Sequence, residues 1–339
     1  MTFTLRTLAR AAQALALWLG FTASVAVSLG LSRHGDPGAA LWTGTGFLAG
    51  ALIILPTTWR AGFTVACAAT QIVIAVWLRD PLPGALAFTA ANVAVAWATA
   101  LLALGFCGVR ARRLSLVRLA RLLVLAIIPT SVSGAVIAAC VGAFMFGRDF
   151  GQVWQGWMMS GGVGMAIVLP AVLLVARFPQ YREFHRSAYE ILGLFAALAA
   201  VTVGVFSQND LPLLFAIYPL ITLIAFRLGP PGAAVAAFLV GSIGLPLTLL
   251  GFGPAMLATK IDFTVRIQLA QAFVLICLFS GVATAAAFAD QARLRRLMIW
   301  RDRAARAARS RAQAAERDVE RIRRDRDSPV EERQKAPLA

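Results

Sequence analysis

The sequence predicts an all-α, polytopic membrane protein of about ten transmembrane helices with a C-terminal cytoplasmic helix. Two observations carry this expectation. Apolar residues make up 59% of the chain and mean hydropathy is +0.75, whereas a soluble domain is roughly 45–50% apolar. Charge is also segregated. Asp290–Ala339 holds fifteen Arg or Lys and nine Asp or Glu, after a block that carries hardly any charge.

Residues 1–10, with Arg6 and Arg10, read as a cytoplasmic N-terminus. The apolar run behind them continues to Leu31 and more runs follow, so it reads as a retained span and not as a signal peptide. The membrane block, 11–288, divides into spans near 11–31, 39–56, 61–78, 84–107, 122–146, 152–176, 189–206, 211–226, 232–250 and 267–288. Each is close to the roughly 20 residues needed to cross the hydrocarbon core. Gly46-x-x-x-Gly50 and Ser160-x-x-x-Gly164 lie within spans, where small residues let helices approach closely. Pro129 and Pro246 sit deeper in their spans than Pro56, Pro170 and Pro219, and are expected to kink them. No Gly or Pro occurs between Val282 and Ser328, so the last span can run on as one helix through 289–326. Residues 327–339 are expected to be disordered.

That basic helix carries a heptad-like seam of Leu294, Met298, Arg301, Ala305, Ala308, Ala312, Ala315, Val319 and Ile322. Asp302/Arg306 and Glu320/Arg324 are spaced to support the helix. The seam is mostly Ala, so a weak homodimeric coiled coil and a solvated single helix both remain open.

Placing the N-terminus inside puts twelve basic residues in the N-terminus and inner loops before the tail, against five in the outer loops. The positive-inside rule then sets both termini in the cytoplasm. The net charge of +16 is concentrated in short loops and the tail, which suits anionic lipid headgroups better than nucleic acid. Each outer loop carries one Asp (Asp36, Asp80, Asp149, Asp210, Asp262), a pattern that ordinary turn chemistry explains and that a cation-binding face would sharpen. Trp59-Arg60-Ala61-Gly62 and Phe226-Arg227-Leu228-Gly229 form a weak internal echo.

Catalysis finds little support. His34 and His185 fall on opposite sides of the membrane, and no acid, base, nucleophile or metal set converges. No enzyme activity, metal or cofactor is therefore expected. Cys67, Cys107, Cys140 and Cys277 lie in or beside apolar spans without metal spacing. Span centres lack full charges, which weakens a small-solute transporter without removing it as the alternative. Polar residues within spans, among them Gln71, Asn92, Gln268 and Gln271, suit either a small cavity or helix–helix hydrogen bonds.

Ordered motifs between roughly residues 12 and 296 resemble the MASE1 integral membrane sensory domain of bacterial signalling proteins. They begin with Trp42-x-x-x-Gly46 and Arg60-x-Gly62, then Trp154, Trp157, Gly164-Met165 and Pro170. Leu211-Pro212-Leu213-Leu214, Pro219 and Arg227-Leu228-Gly229 follow, then Thr248 through Gly253-Pro254, with Gln268-Leu269 in the final span. Two positions depart from the family pattern: Gly44 where a Pro is frequent, and Ser160–Gly162 where an acidic residue often precedes the central Gly. The resemblance implies a sensory domain of the bacterial inner membrane whose last helix signals onward. No cyclase-type or kinase motif follows Ile322, so the expectation is a stand-alone domain acting on an effector in trans.

Overall fold

Helices follow the apolar runs closely. The computed structural model describes residues 2–31, 41–111, 113–181 and 184–327, with 87% helix and no strand among the described residues. The helices are α1 (Thr2–Leu31), α2 (Gly44–Ile54), α3 (Thr57–Trp77), α4 (Leu82–Phe106), α5 (Leu116–Leu122), α6 (Ile128–Phe146), α7 (Phe150–Val175), α8 (Ala188–Phe206), α9 (Ile217–Leu249) and α10 (Phe263–Asp327). A π-helical turn, Leu123–Ile127, joins α5 to α6. Asp36, His34 and the tail 328–339 lie outside the described residues.

Eight helical stretches are long and apolar enough to cross a membrane. The expectation of about ten differs at two places, each with a physical reason. α2 has 11 residues, about 16 Å at 1.5 Å per residue, and its lead-in, residues 41–43, is not helical. The second place is α9, which breaks at Gly229 (φ 66, ψ −163). A Cβ added at Gly281 would lie 2.9 Å from Ile221 Cγ2 and 3.5 Å from Ala233 Cβ. In a straight helix those two residues would be about 18 Å apart. The chain therefore doubles back, and α9 is a hairpin of two helices. Pro230 and Pro231 open the second helix, where a missing N–H costs nothing.

Local chemistry sets several helix ends. Ser115, Asp149 and Ser187 cap α5, α7 and α8 by accepting from the N–H groups of Arg118, Gln152 and Glu190. Asp149, which the sequence reading assigns to an outer loop, thus has a capping role. Gly147 ends α6 in the left-handed conformation.

The chain divides into two compact units, Met1–Ala287 and Phe288–Ala339. In the first, burial ranks the helices. The hydrophobic window of α7 is 72% buried, against 17% in α3 and 22% in α1 and α8. α7 is the axis, and α1, α3 and α8 present apolar faces outward, as lipid contact allows. α2 packs on α7 through Gly46 and Gly50, where added Cβ atoms would lie 2.9 Å from Val168 Cβ and 2.6 Å from Val172 Cγ1. In the second unit, Leu294, Met298, Val319 and Ile322 are exposed and so is Ala305. Asp302 pairs with Arg306 at 3.1 Å.

The Trp59 and Phe226 segments do not share a backbone geometry. Gly62 lies inside α3 with open space around it, whereas Gly229 has positive φ and abuts Phe184.

Candidate functional site

The short α2 brings its polar start into the middle of the first unit. A non-helical backbone at such depth needs partners, because hydrocarbon supplies none. They are present. The Trp42 N–H donates to the Ser160 carbonyl on α7 at 3.1 Å. The Ser28 hydroxyl on α1 donates to the Leu41 carbonyl at 2.6 Å, and the Ser24 and Thr43 hydroxyls bond to each other. Gly164 makes the approach feasible, since an added Cβ would collide with the Trp42 carbonyl. Trp42, Gly46 and Gly164, far apart in sequence, are therefore parts of one junction.

From that junction a hydrogen-bonded chain crosses helices. Trp42 Nε1 donates to Thr45 Oγ1 at 3.0 Å, and Thr45 Oγ1 donates to Asn92 Oδ1 on α4 at 3.1 Å. Beside it lies a cavity of about 20 Å³ walled by Thr45, Asn92, Ser131, Trp157, Gly161 and Met165, among others. That volume admits roughly one water, which needs about 10–15 Å³ and polar partners. The Ser131 hydroxyl is buried and makes no hydrogen bond to protein. Leaving a buried hydroxyl unpaired costs about 1–3 kcal/mol, so this group is a ready partner for an occupant. Trp157 closes one side, stacked on Phe88 with ring centroids 5.7 Å apart.

The wall contributed by α6 is itself irregular. Pro129 has no N–H to give, and the preceding turn is π-helical, with the Ile128 N–H bonded to Leu123 O. The Thr130 hydroxyl donates to Ala126 O at 2.7 Å and lies 2.7 Å from the Thr99 hydroxyl of α4. Such π turns recur at functional sites. No charged side chain lines the cavity. This lining can hold and orient a small neutral group.

Two further clusters hold the helix ends. Arg177, just past α7, donates to the carbonyls of Val109, Ala111 and Leu173, and burial pushes its guanidinium pKa down, offset in part by Tyr181. Arg113 donates to Gln180 O and lies over the Tyr181 ring. Glu190 at the start of α8 accepts from Arg227 Nε at 2.7 Å, beside the Gly229 break. At another loop, the Asn209 side chain donates to Gly251 O at 3.1 Å and accepts from Gly253 N at 2.7 Å. This clamps the turn that leads into Pro254.

The sequence-derived residues therefore separate. Trp42, Gly46, Asn92, Trp157 and Gly164 converge on the polar centre. Pro170 is buried within α7. Trp154 and Gln268 are half-buried, and neither lines the cavity. Pro219 is exposed near the start of α9. Arg227 with Gly229, and Gly253 with Pro254, belong to the two loop clusters. Thr45, Thr130 and Ser131 were missed; the available signal was hydroxyl residues one turn from Gly or Pro inside an apolar run.

Fold and centre together define a polytopic α-helical membrane domain organised around an uncharged polar core. The sequence profile of the MASE1 family matches residues 11–292, and the chain belongs to that family of membrane-embedded sensory domains. No curated protein and no solved structure matches it.

Proposed function

We propose that the chain is a non-enzymatic sensor of the bacterial inner membrane. A ligand- or membrane-dependent change at the polar centre passes through α10 to a signalling partner in trans. The observation that carries this reading is the partnerless Ser131 hydroxyl in a cavity shared by α2, α4, α6 and α7. An occupant that pairs with it in one packing and not in another shifts the equilibrium between them. Helical secondary structure throughout Phe263–Asp327 supplies a route onward. In this reading α9 crosses twice as a hairpin and α2 crosses with its lead-in, about ten crossings in all, and both termini lie in the cytoplasm; the excess of basic residues in the loops on that side supports the orientation. The basic inner loops and tail engage anionic headgroups, and the α10 seam through Leu294, Met298, Ala305, Val319 and Ile322 supports a homodimer. Nucleic acid plays no part in this reading.

The test fuses residues 1–327 to a diguanylate cyclase domain and measures product in membranes. S131A and N92A should change output severalfold at equal membrane abundance. Unchanged output in both variants defeats the reading. A second reading, a small-solute transporter or transport subunit, is favoured by the short α2 with its non-helical lead-in, since transporters build midplane sites from broken helices. Solute accumulation in reconstituted vesicles would select it over sensing.

A further inference from the structure

A second cavity, of about 170 Å³, lies between α7, α8 and the α9 hairpin. Its walls include Val175 at the end of α7 and Phe178 just beyond it, Ile191 and Phe195 on α8, and Leu228 and Val235 on either side of the Gly229 break. No polar surface lines it. A comparable apolar cavity of about 150 Å³ takes up benzene, so this one accommodates on the order of six carbons. Val175 is 49% exposed, as is Leu192 beside the groove on α8 at 69%, so the surroundings are lipid-facing.

The rim differs sharply from the walls. Glu190 precedes Ile191 and Arg227 precedes Leu228, while Arg186 approaches Glu190 at 3.8 Å. Arg227 Nη2 lies 2.5 Å from the same carboxylate. Among the described residues, two guanidinium groups thus share one carboxylate and together leave a net positive charge beside the apolar groove, where α8 meets the α9 hairpin. Arg186 and Arg227 keep 32% and 43% of their side-chain surface exposed, enough to bond a further anion. An apolar slot with a cationic lip is complementary to one kind of occupant in a bilayer, an acyl chain that ends in an anionic headgroup.

We propose that this groove binds the headgroup-proximal segment, on the order of six carbons, of one acyl chain of an anionic phospholipid, with its phosphate at Arg186 and Arg227. The acyl segment lies against both arms of the α9 hairpin, through Leu228 on one side of Gly229 and Val235 on the other. This site is independent of the signalling reading, because occupancy can be measured without any output.

The test uses the full chain, reconstituted with equal phosphatidylglycerol and phosphatidylcholine, re-extracted in mild detergent and analysed by native mass spectrometry. Wild type should retain one phosphatidylglycerol per chain. V235W and I191W fill the groove from opposite walls, and each should lower that occupancy at least fivefold while keeping the wild-type gel-filtration profile. R186Q/R227Q should retain both lipids equally. The proposal is overturned if wild type retains no lipid or shows no preference between the two, or if either filled variant retains as much as wild type. Retention of a peptide or other non-lipid mass in the groove likewise overturns it.

Discussion

Adding one methyl group at Gly164 tests the α2–α7 junction directly. In G164A the new Cβ would sit 2.6 Å from the Trp42 carbonyl carbon and 3.1 Å from Thr43 N, with the carbonyl oxygen nearer still. All three are backbone atoms, so no rotamer change relieves the contact. Restoring ordinary van der Waals separation requires the Trp42 backbone to retreat by about 1 Å, and overpacking of this kind costs about 1–3 kcal/mol. The same retreat stretches the Trp42 N to Ser160 O bond from 3.1 Å beyond hydrogen-bonding range. A backbone N–H stranded among helices adds about 1–3 kcal/mol. The sum, about 2–6 kcal/mol, corresponds to a fall of roughly 4–24 °C in the apparent melting temperature at 2–4 °C per kcal/mol. Fluorescence-detected gel filtration after heating in detergent reads it at matched heating rates. G105A is the control, since nothing lies within 4 Å of its added Cβ. If G164A melts within 2 °C of G105A, the junction described here is wrong.

At the α9 break, G229A should also destabilise, for two separable reasons: a φ of 66 that costs an L-residue about 1–2 kcal/mol, and Phe184 Cδ2 2.6 Å from the new Cβ. F184A removes the second cause alone, so in a double-mutant cycle the combined loss should fall short of the sum of the single losses, and strict additivity would contradict the contact. For Cys107, burial pushes the thiol above its ordinary range, with Arg121 pulling partly back. A pKa raised by folding stabilises the protein below the ordinary thiol range and loses that contribution as pH climbs through the folded value. Maleimide should accordingly label Cys107 slowly in the folded protein and far faster on unfolding, and C107A should flatten the loss of stability as pH rises above the ordinary thiol range.

Helix order was legible because hydrocarbon demands long apolar runs and leaves basic residues at the turns, so the runs near 211–226 and 232–250 announced a hairpin at Gly229-Pro230-Pro231. α2 was read as a full span, since Leu41 through Leu55 are apolar enough to continue the pattern. Its shortness comes from Ser28, Ser24 and Ser160, tertiary partners that stabilise an extended lead-in and leave no local trace. Of the candidate residues at the junction, Gly46 and Gly164 were legible from their small-residue spacing within spans, and Trp42 through the family resemblance. Ser131 escaped because a hydroxyl inside a span ordinarily bonds its own helix, as Thr99 does to Val95 O. The Arg177 cluster escaped because its acceptors are backbone carbonyls, which carry no residue signature.

The bond between Trp42 and Ser160 also bears on how the protein is made. An 11-residue helix is well short of the roughly 20 residues that partition into a bilayer unaided, so α2 must be held against α1 while synthesis continues. Its backbone acceptor does not exist until α7 has been translated and inserted. The N-terminal hairpin therefore waits, incompletely satisfied, for a helix from the middle of the chain. Ribosome-stalled chains ending before Ser160 should leave Trp42 accessible to water-soluble quenchers, and chains stalled well beyond it should not. The junction nearest the N-terminus therefore closes only after the middle of the chain has been made.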